Sequence, residues 1–174
     1  VVAETEVHQR SIEALHEAVP LAFKGNPAAV EKVFERASEG VRESAVAMVM
    51  RAMSANAGRD YATAAALFRE ATVKDPEYGG AWFGLGMVLD PTLRSKQGTA
   101  EEAIEAYERA VALDPSNAPA HLNLGALLEH ERKDVGAAEE AYRAAIEADP
   151  GYAKAHQSLG TLLCGTLAPQ SERN

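Results

Sequence analysis

The stretch AEEAIEAYERAVALDPSNAPAHLNLG, Ala100 to Gly125, contains a complete helix, a stop signal and the start of a second helix. Small and apolar residues recur in its first half at intervals of three and four, which lays a packing stripe along one helix face. Glu and Arg fill the opposite face. Pro115 ends the helix, because proline has no amide hydrogen to donate and pushes the preceding residue out of the helical region. The stretch therefore predicts two consecutive helices joined by a short turn.

The same spacing occurs three times along the chain. In each copy an alanine lies 12 residues before the proline of an Asp-Pro pair, an aromatic ring follows that alanine by four residues, and a second alanine follows the ring by three. A Leu-Gly pair comes next, with its glycine ten residues after the proline. The copies are Ala64, Phe68, Ala71, Pro76 and Gly86, then Ala103, Tyr107, Ala110, Pro115 and Gly125, then Ala138, Tyr142, Ala145, Pro150 and Gly160. This rigid spacing marks one structural unit that is used repeatedly.

The composition favours closely packed helices over a sheet. Of the 174 residues, 47% are hydrophobic, yet only 6% are aromatic and alanine is abundant. Alanine is the best helix former and lets helix backbones approach closely. A chain of this length buries roughly 70% of its unfolded surface, so it needs no disulfide, metal or cofactor to fold. We predict an all-α fold and no cofactor.

The segments AWFGLG, AHLNLG and AHQSLG, each joined to the Ala, aromatic, Ala, Asp-Pro series, resemble the tetratricopeptide repeat family. The resemblance implies a right-handed α-solenoid of antiparallel helix pairs, with about 34 residues in each pair. It also implies the following organisation: an N-terminal extension 1–10; a solenoid 11–165 made of a degenerate unit 11–44, units 45–78, 79–117 and 118–152, and a half repeat 153–165; and a tail 166–174.

Two places depart from the family spacing. In unit 11–44, Pro20 falls inside the expected first helix and the Leu-Gly pair is absent, so we expect that helix to be kinked or irregular, while the sequence KGNP supplies a turn. In unit 79–117, 17 residues separate Gly86 from Ala103 where the family spacing needs about 12. These five extra residues lengthen the turn between two helices. Thr99 and Glu102 form a capping box that restarts the helix.

Charge and cysteine content exclude several classes of protein. The net charge is −9, with 17 basic and 26 acidic residues, which disfavours a nucleic-acid partner and an anionic membrane surface. Cys164 is the only cysteine, so a disulfide-stapled secreted scaffold is excluded and an intracellular, cytoplasmic or organellar, setting fits best. No apolar run reaches the roughly 20 residues of a membrane span. The chain starts without methionine, which suggests a processed precursor or a segment of a longer protein.

The resemblance implies that the first helices of the units line a concave groove that holds another protein. Projection of these helices places the following side chains in the groove: Val46, Val49, Met50, Met53, Phe83, Met87, Leu122, Asn123, Ala126, Lys154, Gln157 and Ser158. The first half of this set is apolar and rich in methionine, a residue that adapts to a partner's apolar face. The alternative is that part of the set packs between neighbouring helices, because a rotation by one residue moves a side chain from the groove into the core.

A catalytic function is not supported by the residue pattern. The glycines of GGAWFGLG belong to the repeat, and no strand precedes them as a phosphate-binding loop requires. His121 and His156 recur at the position of Trp82, which indicates packing rather than metal ligation. Cys164 and His156 are eight residues apart on one predicted helix, roughly 12 Å along its axis, too far for a nucleophile and its base. We therefore expect a protein that is not an enzyme.

Two functions remain open at this point. The first is a structural or assembly subunit of a larger complex, which binds a helix or an extended segment in its apolar groove. The insertion's Arg94 and Lys96 offer a second, basic contact, with a solvated loop as the alternative. The second is a reversible peptide-binding adaptor. In a co-chaperone-like clamp of the family, Asn123 and Lys154 match two basic or amide positions, but Phe83, Met87 and Ser158 occupy the other three.

Overall fold

A computed structural model of the chain describes the backbone of residues 2–93 and 97–167 and the side chains of residues 12–93 and 97–165. These described residues form helices and turns, without a β-strand, which confirms the all-α prediction. The helices are α1 (Val2–Phe23), α2 (Pro27–Phe34), α3 (Glu39–Arg42), α4 (Ala45–Ala57), α5 (Tyr61–Lys74), α6 (Gly79–Leu89), α7 (Ala100–Leu113), α8 (Ala118–His130), α9 (Val135–Ala148) and α10 (Ala153–Leu167).

The chain divides into two compact units, unit 1 (Val1–Ala106) and unit 2 (Tyr107–Asn174), with the boundary inside α7. In unit 1, α4 packs along α5, α1 packs on α2 and α4, and α6 packs on α4 and α5. In unit 2, α8 packs along α9, and α10 packs on both. Because short turns join the packed neighbours, each pair is an antiparallel helical hairpin. We call α1, α4, α6, α8 and α10 first helices, and α2, α5, α7 and α9 second helices.

The repeated alanines and rings form the packed interior of each unit. Ala64, Ala71, Ala103, Ala110, Ala138 and Ala145 have no exposed surface, and Phe68, Tyr107 and Tyr142 have at most 1%. The small alanine side chains let helices approach closely, and the ring fills the remaining space. The sequence pattern thus marks the residues that hold the hairpins together.

Each Asp-Pro turn is closed by the same two hydrogen bonds. An aspartate Oδ1 accepts from the backbone amide two residues later: Asp75 from Glu77, Asp114 from Ser116 and Asp149 from Gly151. A ring nitrogen on the next helix bonds to the proline carbonyl: Trp82 to Pro76, His121 to Pro115 and His156 to Pro150, at 2.9, 3.1 and 2.9 Å. The two histidines therefore tie a helix to the turn before it, in agreement with the expected packing role.

The first helical pair differs from the others. α1 continues through Pro20 to Phe23 and also includes residues 2–10, since this stretch contains no helix-breaking residue. The KGNP turn forms as predicted: Gly25 has φ +66°, and Asn26 Oδ1 accepts from the Ala29 amide. A side chain at Gly25 would also meet the Gly58 backbone nitrogen at 2.7 Å. The second helix of the pair is short, because α2 ends at Phe34 and the single turn α3 follows.

Arg51 fixes these short helices to α4. It stands where the three later first helices have the leucine of the Leu-Gly pair, namely Leu85, Leu124 and Leu159. Its guanidinium lies 5.0 Å from the centre of the Phe34 ring, bonds to both carboxylate oxygens of Glu31 and donates to the Arg42 carbonyl at 2.7 Å. A cation over an aromatic face with two further acceptors replaces the apolar contact that leucine makes elsewhere.

The insertion joins two well-formed helix ends. α6 ends at Leu89, and the carboxylate of the buried Asp90 accepts from the amide and hydroxyl of Thr92. The capping box before α7 is confirmed: the Thr99 amide donates to Glu102 Oε2 at 2.9 Å, and the Glu102 amide donates to Thr99 Oγ1 at 3.2 Å. The predicted contacts Arg94 and Lys96 lie outside the described residues.

Candidate protein-binding face

The first helices of unit 1 lie side by side, with α4 between α1 and α6. Side chains at equivalent repeat positions, 34 residues apart, form three rows across these helices: Ile12, Val46 and Gly80; Leu15, Val49 and Phe83; Val19, Met53 and Met87. Each row is apolar or glycine along its whole length. Packed neighbouring helices that repeat the same position bring such residues to one surface.

This surface is mostly exposed on α1 and half-buried on α4 and α6. Ile12 is 36% and Val19 38% exposed, and Phe23, one turn after Val19, is 68% exposed. Leu15, Val46, Met53, Phe83 and Met87 are half-buried. We call these eight residues the unit 1 face; they are Ile12, Leu15, Val19, Phe23, Val46, Met53, Phe83 and Met87. None of them carries a charge.

Two of the residues expected in the groove are inside the fold instead. Val49 is 6% and Met50 8% exposed. Met50 belongs to the apolar core that α4 forms with α1 and α2, and Val49 lies on the central helix, which has a neighbour on each side. Both are therefore corrected to core residues, as the packing alternative foresaw. Val46 and Met53 also touch this core but keep part of their surface exposed.

The contribution of α1 was missed by the sequence analysis. The projection began at Val46, because the first unit lacks the Leu-Gly pair and carries Pro20. A usable signal was nevertheless present: Ile12 and Val19 precede Val46 and Met53 by 34 residues each. Two apolar residues at the repeat distance indicate that this degenerate first helix follows the same repeat pattern.

Unit 2 presents a different set of side chains on its first helices. Leu122 and Ala126 are half-buried on α8, and Lys154 and Gln157 are exposed on α10. The Asn123 amide donates to the Tyr107 hydroxyl at 3.2 Å, so this group is already used inside the unit. Asn123 therefore has a local structural partner, and Lys154 is the exposed cation among the residues predicted for this part of the groove.

Ser158 lies near the hydroxyl of Tyr142 in unit 2, and this hydroxyl donates to Glu129 Oε2 at 2.7 Å. Burial raises the pKa of Tyr142 far above its ordinary value, and the hydrogen bond to Glu129 and the negative charge of that residue add to the effect. The phenol is thus a neutral donor at any physiological pH. The polar group of Asn123 and the hydroxyl of Tyr142 are both used in contacts inside unit 2.

The described residues contain few other candidates for a functional site. Among them, no three His, Cys, Asp or Glu side chains are arranged to hold a metal ion. None of the described helices combines the length and the apolar character needed to cross a membrane. Cys164 is exposed, and the ring of His156 is bonded to the Pro150 carbonyl.

Comparisons with known proteins agree with this architecture. Family models match three parts of the chain: a tetratricopeptide repeat model at residues 49–90, a TPR repeat model at residues 94–130 and a second tetratricopeptide repeat model at residues 118–152. A search of curated protein sequences found no significant match.

Solved structures with the same fold include MamA (41-end) from Desulfovibrio magneticus RS-1, which is 21% identical with a TM-score of 0.67 over 90% of this chain and 85% of that chain. The first TPR of Spaghetti (RPAP3), bound to an HSP90 peptide, is 18% identical with a TM-score of 0.64 over 72% and 94%. YrrB, a TPR protein with an unusual peptide-binding site, is 21% identical with a TM-score of 0.61 over 78% and 66%. The repeat matches and the repeated helical hairpins show that the chain belongs to the tetratricopeptide repeat family.

Proposed function

We propose that the protein is a non-catalytic scaffold for protein–protein interaction and serves as a structural or assembly subunit of a larger complex. Its partner contributes a helix or an extended segment that covers the unit 1 face. The observation that carries this proposal is the uncharged surface of α1, α4 and α6, on which Ile12, Val19 and Phe23 are 36%, 38% and 68% exposed. A contiguous exposed apolar surface of this kind marks an interaction site.

The chemistry of the face suits a lasting apolar contact. Met53 and Met87 lie in one row and have flexible, polarisable side chains that adjust to the shape of a partner. Phe83 adds a large apolar area beside them, and burial of such rings dominates interface energies. A partner that covers these residues removes them from water, which stabilises the complex by roughly 25 cal/mol for each Å² of apolar surface buried.

A reversible peptide-binding adaptor is the second candidate. It is favoured by RPAP3 and YrrB, whose structures are described as peptide-bound or peptide-binding. Against it, Phe83 and Met87 occupy places where a clamp for an acidic peptide uses charged and amide side chains, and the Asn123 amide is bonded to the Tyr107 hydroxyl. Light scattering after size exclusion separates the two: a stable, monodisperse monomer contradicts an obligate subunit.

The double substitution Met53→Glu with Met87→Glu tests the face directly. We expect retention of the co-purifying partner, identified by mass spectrometry, to fall more than about tenfold, because two carboxylates would have to be buried without a counter-charge. Helical content by circular dichroism should not change, since both side chains are already partly in water.

Val73→Glu is the matched control. Val73 lies on the second helix α5 and is 81% exposed, so the substitution adds one negative charge away from the face, to be compared with the two that the double substitution adds on it. Equal loss of the partner in this variant would show a general charge effect. Unfolding of the double variant would show that the methionines are core residues, and full retention of the partner would place the contact elsewhere.

A further inference from the structure

Helix α10 repeats the sequence of α8 at a distance of 35 residues. The matching pairs are Ala120 and Ala155, His121 and His156, Leu124 and Leu159, Gly125 and Gly160, Leu127 and Leu162, and Leu128 and Leu163. Both helices belong to unit 2. The shared sequence gives both helices the same packing surface. The helix that covers this surface on α8 therefore indicates what kind of helix can bind to it on α10.

On α8 this surface is covered by α9. Leu124 and Leu128 are 7% and 6% exposed, and Gly125 is buried. The ring of Tyr142 lies directly over Gly125: a Cβ at this glycine would meet Tyr142 Cδ1 and Cε1 at 2.7 Å. Glycine is therefore required here by the close approach of the ring. Ala138 and Ala145, on either side of the ring along α9, are fully buried.

On α10 the same surface is open in the described structure. Gly160 is exposed, and a Cβ there would meet nothing within 4 Å. Leu159 and Leu163 are half-buried, in contrast to the buried Leu124 and Leu128. The other edge of α10 is packed within unit 2, since Ala155 and Leu162 are 0% and 5% exposed.

We propose that Leu159, Gly160 and Leu163 form a docking site for an amphipathic helix of another polypeptide, which carries the stripe of α9: an alanine, an aromatic ring four residues later and an alanine three residues after the ring. The ring occupies the slot above Gly160 as Tyr142 does above Gly125. A folded second copy of this chain does not supply the stripe, because Phe68, Tyr107 and Tyr142 are at most 1% exposed in their own units.

One difference between the two helices predicts which ring is preferred. The Tyr142 hydroxyl donates to Glu129 at 2.7 Å, and the residue 35 positions after Glu129 is Cys164. A thiol is a weak acceptor compared with a carboxylate. A tyrosine hydroxyl buried over α10 would lack its strong acceptor, so the site favours phenylalanine over tyrosine.

The test uses the full chain and synthetic peptides with the sequence of residues 134–149, held helical by a side-chain bridge on the charged face. Three peptides carry Phe, Tyr or Ala at the position of Tyr142. Binding is followed by titration with NMR detection of backbone amides. We expect saturable shifts centred on Gly160 and Leu163 in the order Phe, Tyr, Ala, with the Ala peptide at least about tenfold weaker, because it leaves the slot empty.

Gly160→Ala and Gly165→Ala form a matched pair of variants. Both glycines have no neighbour within 4 Å of an added Cβ, so both substitutions should raise the thermal midpoint slightly through helix propensity. Only Gly160→Ala fills the ring slot, and it should weaken binding of the Phe peptide at least about tenfold. Gly165→Ala should leave that affinity within roughly twofold.

Several results would overturn the proposal. These are the absence of saturable shifts, equal binding of the Phe and Ala peptides, or equal affinity of the Gly160→Ala variant. Shifts centred on Gly125 would show that the peptide exchanges with the chain's own α9. Concentration-dependent self-association of the chain without peptide, abolished by Gly160→Ala, would assign the surface to a second copy.

Discussion

The ring of each repeated motif meets the residue 16 positions later, on the next first helix. Phe68 lies against Gly84, Tyr107 accepts a hydrogen bond from Asn123, and the Tyr142 hydroxyl lies near Ser158. The ring without a hydroxyl is followed by glycine, and the rings with a hydroxyl are followed by a polar side chain. This correspondence has a physical cause, because a buried hydroxyl needs a partner whereas a plain ring needs only space.

Gly84→Ala tests this contact at Phe68, the ring that has no hydroxyl and needs only space beside it. An added Cβ would lie 2.1 Å from Phe68 Cε1, and the ring is only 1% exposed, so it has little room to move. We expect a loss of about 1–3 kcal/mol in the free energy of unfolding, measured by urea denaturation. Phe68→Leu should recover part of this loss in the double variant.

Gly40→Ala is the control for that prediction, since it also adds a methyl group to a helix of unit 1 but has no neighbour within 4 Å. It should be neutral or stabilising by up to about 1 kcal/mol. A Gly84→Ala variant as stable as Gly40→Ala would mean that the α5 and α6 backbones separate easily.

At the scale of the elements, the sequence predicted the hairpins well and the rotation of the first helices less well. The Ala, ring, Ala and Asp-Pro spacing is local, so it identified each hairpin and the turn at each proline. Burial of Val49 and Met50 depends instead on α1, whose packing on α4 is a contact between distant parts of the chain. The exposed residues of α1 were missed for a different reason, because Pro20 and the missing Leu-Gly pair hid the repeat in the sequence.

The capping box at the start of α7 gives a pH-dependent prediction. Hydrogen bonds from the Thr99 amide and hydroxyl hold the pKa of Glu102 below its ordinary value, with a smaller contribution from Arg69. A lowered pKa in the folded state means that the carboxylate stabilises the fold above the unfolded pKa, and that this effect is lost as the pH falls through the folded pKa. Because Glu102 is exposed, solvent screening keeps the effect small.

Glu102→Gln should therefore lower the free energy of unfolding by about 0.5 kcal/mol at pH 7 and leave it unchanged near pH 3. Glutamine can still occupy the capping box, so the comparison isolates the charge. Urea denaturation at the two pH values gives the measurement, with Glu105→Gln, one turn further along α7, as the control. A difference that persists at pH 3 would show that the charge is not the cause.

For the whole molecule, the repeat architecture predicts that a destabilising substitution lowers the stability of the nearby helices only. In arrays of such hairpins, stability is approximately the sum of the repeats and their nearest-neighbour interfaces. A single globular core would instead transmit a defect throughout. The two compact units, Val1–Ala106 and Tyr107–Asn174, provide separate regions in which to measure the effect.

Gly125→Ala is the substitution for this test, because the added Cβ would lie 2.7 Å from the Tyr142 ring between α8 and α9. We expect native-state hydrogen exchange to show the loss of amide protection concentrated in α8, α9 and α10, with protection of α4 and α5 nearly unchanged. The opening free energy of the affected amides should fall by about 1–3 kcal/mol. Gly84→Ala should produce the reverse pattern, with the loss in α5 and α6. If either variant lowered protection equally in both units, the chain would unfold as one cooperative body and the nearest-neighbour description would be wrong for it.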